Sequence, residues 1–315
     1  MLPDLRGRSQ HADRAFRYLA IAAAGAVLLI LGLIAMTMSD RSRPVLAEMG
    51  LDFFTSTRWS EADNLYGALP FIWGTLYTAV IALVLAVPVS LGVALFMTQV
   101  APRWLKQPMI YVIDLLAVVP SVVFGLWGVL VLAPKLQGIY ASIHGAVDGI
   151  PILQSIFGAS PQGRSFMTAG VILAIMITPI ITSLSREVIE TTPPAEKEAA
   201  IALGATRWEM IRASVLPHSK GGIVGAVMLG LGRAIGETIA VTLVIGNAPN
   251  IGDSLFSQGY TLAAVIANEF GEADELHKSA LIALAVTLFV ITIVVNLIAT
   301  SIVQRSMRRS RGKVT

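Results

Sequence analysis

The chain has 315 residues, of which 55% are apolar (AVILMFWYC) and 14% charged, with a net charge of +3 and no cysteine. A soluble domain carries about 25% charged residues, so a mean hydropathy of +0.73 makes lipid, not water, the solvent for most of this chain. The missing cysteines exclude a disulfide framework, thiolate metal sites and a cysteine nucleophile, and the 4 scattered histidines form no metal cluster.

Crossing a hydrocarbon layer of about 30 Å takes roughly 20 apolar residues of helix, because every backbone amide must be bonded within the segment. Six stretches qualify in chain order. Tyr18–Met38 and Phe71–Val100 are uncharged, the second with Pro88 inside it. Met109–Leu132 holds Asp114, an acid near one end that reaches back to water more readily than it serves a proton relay. Phe166–Ser185 is uncharged and contains Pro179. Gly221–Gly246 holds Arg233 and Glu237, and Ser279–Gln304 is uncharged. The first run is too long for a signal-peptide core and is followed by Ser39-Asp40-Arg41, so no cleavage is expected.

Six spans return both termini to one side. On that side fall Arg6, Arg8, Arg14 and Arg17, then Arg103 and Lys106. Arg186, Lys197, Arg207, Arg212 and Lys220 follow, with Arg305, Arg308, Arg309, Arg311 and Lys313 at the end. The other side has only Arg41, Arg43, Arg58, Lys135, Arg164 and Lys278. This bias makes both termini cytoplasmic. The expected layout is a tail at 1–17, a first helix at 18–38, an outer loop at 39–70, a core of five helices at 71–304 and a basic tail at 305–315. The outer loops at 133–165 and 247–278 are too long for hairpins.

The cytoplasmic loop at 186–220 is the most structured of the connections. Thr192 is placed to cap a helix with Pro193 at its first position, and Glu196 and Glu198 lie near its positive end. Gly204 suits a left-handed terminus. Thr206-Arg207-Trp208-Glu209 matches a capping box, opening a second helix expected to end before Pro217. A helix-turn-helix reader of DNA would need a basic stripe that this loop lacks. A docking element for a cytoplasmic partner fits better.

Glu198-Ala199-Ala200, Gly204 and Leu216-Pro217, at this spacing, resemble the EAA loop of bacterial ABC importer permeases; Ser214 stands where an aliphatic residue is usual, which weakens packing of the second helix. Leu116–Leu126 (LAVVPSVVFGL) and Gly232-Arg233-Ala234-Ile235-Gly236-Glu237-Thr238 resemble the phosphate-specific branch of that family. Val241–Asn247 (VTLVIGN) and Leu262–Gly271 (LAAVIANEFG) are closer to its PstC-type than to its PstA-type subunits. The resemblance implies an all-α integral membrane protein of the MetI-like, type I importer fold in the bacterial inner membrane. It also implies a second permease of the PstA type, a dimeric cytoplasmic ATPase of the PstB type and an extracytoplasmic phosphate-binding protein of the PstS type. ATP and magnesium would sit on the ATPase, with no cofactor, metal or catalytic residue on this chain. Glu198, Ala199, Ala200, Gly204, Leu216 and Pro217 would form the coupling loop.

Arg233 is the leading candidate for a substrate contact, the alternative being a buried ion pair with Glu237 that only holds helices together. A mid-span arginine costs about 2.5–3.5 kcal/mol on insertion scales, so it should face protein or water, and its planar fork matches phosphate. Glu237, at i+4, is near enough to pair with it, and in an occupied path to accept a hydrogen bond from hydrogen phosphate that sulfate cannot offer. Ser121 and Thr178 interrupt two spans beside Pro120 and Pro179, where freed amides and hydroxyls can meet an anion; hydroxyls bonded to their own helices are an equal alternative. Gly225, Gly230, Gly232 and Gly236 form a small-residue face for close helix packing. Gly158, Gly163, Arg164 and Ser165 stand one substitution away from a P-loop, but follow no strand and fall outside the cell, a chance match.

Overall fold

A computed structural model describes residues 6–147, 149–158, 162–252 and 254–311. The extreme tails, including Lys313, and the middle of the P-loop-like stretch at 159–161 lie outside them. Helix α1 (Arg6–Met49) leads to the single-turn α2 (Asp52–Thr55) and a two-residue hairpin, β1 (Trp59–Ser60) and β2 (Leu65–Tyr66), antiparallel with Trp59 opposite Tyr66. Helix α3 (Leu69–Leu95) runs into a π-helical turn at Phe96–Val100. After α4 (Arg103–Val118), helix α5 (Ser121–Trp127), a π turn at Gly128–Leu132 and α6 (Ala133–Val147) form one rod. The short α7 (Pro151–Phe157) precedes α8 (Phe166–Glu190), α9 (Pro194–Ala202) and α10 (Arg207–Met210). A π turn at Ile211–Val215 leads to α11 (Leu216–Gly236), then α12 (Ile239–Val244), α13 (Leu262–Glu269) and α14 (Glu275–Arg311).

Five segments among the described residues are long and apolar enough to cross a membrane: Asp13–Met49, Leu69–Val100, Ser121–Val147, Phe166–Glu190 and Glu275–Ser301. Two of the six predicted spans are changed. Met109–Leu132 is broken at Val119-Pro120, where proline removes an amide donor and its predecessor leaves the helical region (Val119 ψ 127°). The apolar rod therefore starts at Ser121 and takes in the first part of the predicted outer loop at 133–165. Gly221–Gly246 is divided as well: α11 begins earlier, at Leu216, and ends at Gly236, with Glu237 extended (φ −71°, ψ 126°). The outer end of the first span also remains helical as far as Met49, well into the predicted loop at 39–70.

The core is built where small residues let helices meet. Gly170 of α8 lies against Ile81 of α3, and a Cβ there would stand 2.3 Å from the Ile81 Cγ2. Around that contact pack Phe166, Ile172, Leu173, Met176, Ile177 and Ile181 with Ala240, Val241 and Val244 of α12. A second cluster, Phe53, Tyr66, Phe71, Leu262, Leu281 and Leu284, binds the hairpin to α3, α13 and α14. There His277, its side chain 5% exposed, has Glu269 3.1 Å from Nε2 and Glu61 3.5 Å from Nδ1. Burial, reinforced by Asp274, Glu61, Glu269 and Glu48, pushes the neighbouring Tyr66 phenol up to about 12. A third cluster, Ala94, Ile189, Met210, Ile211, Val215 and Ile223, seats the 186–220 loop against the opposite end of the bundle.

Candidate functional site

Helices α8 and α11 run antiparallel and nearly touch. A Cβ on Gly222 would come within 2.4 Å of Val188, and one on Gly230 within 2.8 Å of Ile181. That register sets Arg233 at the level of Thr178. The predicted glycine face thus has two parts: Gly230 packs against α8, while Gly225, Gly232 and Gly236 meet nothing within 4 Å. Among the described residues, no other helix packs against the Gly232-x3-Gly236 pair closely enough to meet an added Cβ.

Instead Gly225 and Gly232 line an open groove of about 830 Å³ between α8, α11 and α14. Leu184 and Val188 form one wall, Asn296 and Thr300 the other, and Arg233 closes its end. Arg233 is half-buried, and its buried Nε has no hydrogen-bond partner. Among the described residues no carboxylate pairs with it. The expected Arg233–Glu237 pair is not formed, because the helix ends at Gly236 and the i,i+4 geometry ends with it. Glu237 turns to the next helix, where its Oε1 accepts the Ala240 N–H at 3.4 Å.

Thr178 and Ser121 have separate roles. The Thr178 hydroxyl donates to Ala174 O at 2.7 Å within its own helix, and its carbonyl accepts the Ser90 hydroxyl at 3.2 Å. It is a joint between α8 and α3. Ser121 starts α5, half-buried, immediately after the Pro120 break. Gly125 abuts Ala240 and Leu243 while Gly128 abuts Val244, so α5 and α12 run in the same direction and Ser121 lies toward the Glu237 end. Arg233 with Thr178 and Glu237 with Ser121 therefore share levels, but no hydrogen bond or ion pair among the described residues joins any two of the four. Asn296 and Thr300 are additions that the sequence did not signal, since two polar residues in an apolar helix reveal nothing about which face they take.

In the 186–220 loop, Gly204 has φ +86°, the left-handed turn its position predicted. The capping box is complete: Glu209 Oε2 accepts the Thr206 N–H and hydroxyl, both at 2.8 Å, while Thr206 Oγ1 accepts the Glu209 N–H at 3.4 Å. Those donors hold the Glu209 carboxyl below its ordinary value. A carboxylate depressed in the folded state stabilises above the ordinary carboxylate pKa, and its contribution fades as pH falls through the lowered one. Thr206→Ala should cost about 1 kcal/mol locally, seen as roughly fivefold faster amide exchange at the start of α10.

Two expectations for this loop are corrected. Thr192 does not cap α9; it is buried, with its hydroxyl 3.3 Å from that of Ser219, and Pro193 occupies the cap position. The second helix does not end before Pro217. The π turn at 211–215 shifts the hydrogen-bond ladder to i→i+5, so the missing proline amide is absorbed and helix continues from Arg207 to Gly236. Ser214, the residue that departs from the usual pattern, donates to Glu196 O at 3.2 Å and ties this rod to α9. Of the predicted loop residues, Glu198 and Ala199 are exposed, Ala200 packs beneath, and Leu216 and Pro217 belong to the rod. The turn also presents large apolar groups to its surroundings: Leu203 is 90% exposed, Trp208 62% and Ile201 53%.

The family described as "Binding-protein-dependent transport system inner membrane component" matches residues 86–309. "Phosphate transport system permease protein PstC" of Xylella fastidiosa (strain Temecula1) is 44% identical over 96% of this chain and 94% of its own length. The Haemophilus influenzae protein of that name is 44% identical over 91% of both chains. "Phosphate transport system permease protein PstC 2" of Mycobacterium tuberculosis is 42% identical over 96% of this chain and 93% of its own. A chain from the crystal structure of a bacterial ABC transporter involved in alginate import matches at a TM-score of 0.59 and 16% identity, covering 94% of this chain and 98% of that one, a likeness of fold. This apolar, helical chain, with its half-buried arginine and capped loop, belongs to the binding-protein-dependent transport system inner membrane components.

Proposed function

We propose that this chain is one of two permease subunits of an ATP-driven importer of inorganic phosphate. The observation that carries the reading is the 44% identity, over 96% of the chain, to a protein described as a phosphate transport permease. The chain is a transport subunit. Nucleotide chemistry belongs to a separate dimeric ATPase of the PstB type, which holds ATP and magnesium. A PstA-type permease completes the path, and a PstS-type binding protein delivers phosphate from outside. The Lys and Arg bias supports a cytoplasmic side for both termini and the 186–220 loop, with α11 and α12 together completing the sixth crossing.

The chain's own geometry supports a coupling mechanism. Leu203, Gly204 and Trp208 form an exposed apolar knob that suits a cleft on the ATPase. Trp208 and Arg233 lie on one continuous helical rod, which at 1.5 Å per residue separates them by roughly 37 Å. Movement of the knob can therefore be conveyed to the arginine level along one helical path, with the π turn at 211–215 as its one irregular joint. Arg233 offers two parallel N–H donors to a phosphate oxygen pair, and Asn296 across the groove supplies a neutral carboxamide. The test is ATP hydrolysis by the assembly purified from native membrane. Phosphate-loaded binding protein should stimulate it severalfold and sulfate should not replace phosphate; failure to recover an ATPase with this chain would refute the reading.

A further inference from the structure

At the end of α8 opposite the coupling loop lies a second pocket, of about 500 Å³, lined by Val129, Ala133, Pro134, Gln137, Gln162, Gly163, Arg164 and Gln258. Among the described residues Arg164 is its only ionisable lining residue, and no carboxylate pairs with it. The other polar side chains lining it among the described residues are carboxamides. This composition favours an anion, and an amide adds an acceptor for an anion that retains a proton.

The pocket is held rigidly. Ser165 N–H donates to Val244 O at 3.1 Å, Phe166 N–H to Ser257 O at 3.0 Å and Met167 N–H to Leu255 O at 2.9 Å, fixing the backbone next to Arg164. The Thr168 hydroxyl donates to Gly163 O at 2.7 Å. Gly163 presses on α6, where an added Cβ would lie 2.7 Å from Ala133 O. Gly246, at φ +101°, leaves the space taken by the Gln258 side chain, 2.6 Å from where its own Cβ would be. Gln258 Nε2 donates to Gln162 Oε1, so the two carboxamides orient each other. The backbone that carries Arg164 and the Gln162–Gln258 pair are thus held in place, while the Arg164 side chain is exposed and open to an incoming anion.

We propose that this outer pocket is an oxyanion handover site, in which Arg164, with Gln137, Gln162 and Gln258, receives inorganic phosphate from the binding protein before it enters the membrane path. The proposal rests on the transport reading above. The P-loop-like stretch Gly158–Ser165 then has a role unrelated to nucleotide: its arginine is an anion contact.

The test uses the complete complex in phosphatidylcholine vesicles, with ATP and labelled inorganic phosphate presented on the binding protein. Arg164→Gln should lower phosphate moved per ATP hydrolysed about tenfold, the scale of one lost charge-assisted hydrogen bond, with binding-protein-stimulated hydrolysis retained within twofold. Arg164→Lys should recover much of it, and Gln137→Leu should show a smaller loss. An unchanged transport-to-hydrolysis ratio in Arg164→Gln overturns the proposal. So does a fall in binding-protein affinity that accounts for the loss, since Arg164 would then be a protein-docking contact. A loss confined to vesicles containing phosphatidylglycerol would assign the pocket to a lipid headgroup and overturn it too. Failure of the unaltered complex to move phosphate would instead strike the transport reading.

Discussion

Arg233→Met is expected to leave the permease pair assembled while phosphate uptake falls by about two orders of magnitude. Methionine fills comparable apolar volume in the groove. It also removes a buried Nε with no partner, a group whose burial costs about 1–3 kcal/mol. For a purely structural arginine the substitution would therefore be neutral or stabilising. For an anion contact it removes a bidentate, charge-assisted interaction, and losing such a buried contact costs about 2–5 kcal/mol. Uptake by reconstituted complex, with assembly checked by co-purification, separates the two cases. The double substitution Arg233→Met with Glu237→Leu should transport no better, because the two side chains are not paired. Uptake near that of the unaltered protein in either variant would remove Arg233 from the path.

Gly204→Asp should abolish coupling with the chain still in the membrane. At φ +86° an aspartate sits in the left-handed region at a cost of about 1 kcal/mol or more. Within this chain a Cβ at position 204 meets nothing within 4 Å, so the larger effect arises outside it, where a charge would enter the apolar knob of Leu203 and Trp208. We expect uptake to fall at least thirtyfold and the ATPase to co-purify weakly. Gly204→Ala, which adds the strain without the charge, should lose only a few-fold. Normal uptake by Gly204→Asp would show that the loop merely connects its two helices.

Local chemistry made part of this site legible from sequence. Gly204 and the Thr206–Glu209 capping box are written in neighbouring residues, and both stand in the structure as their residue types require. The apolar runs likewise gave four of the long helices, since lipid leaves few other options. What failed depended on partners distant in sequence. Pro217 reads as a helix stop, yet a π turn supported by Met210, Ile211 and Val215 in the inner cluster carries the helix past it. Glu237 reads as a partner for Arg233, yet α12 supplies a free N–H just beyond the end of α11. The glycines of α11 look alike in sequence, but only packing against Val188 and Ile181 distinguishes Gly222 and Gly230, which touch α8, from Gly225 and Gly232, which face the open groove.

In the proposed transport cycle, phosphate crosses the membrane beside Arg233 under drive from the 186–220 loop. The direct measurement is accumulation of labelled phosphate inside sealed vesicles containing the full complex, with ATP at the loop side and loaded binding protein at the other. Accumulation against a phosphate gradient is expected, lost in Arg233→Met with ATP hydrolysis still stimulated, and lost in Gly204→Asp together with that stimulation. Accumulation in the Arg233→Met complex equal to that of the unaltered complex would contradict this cycle.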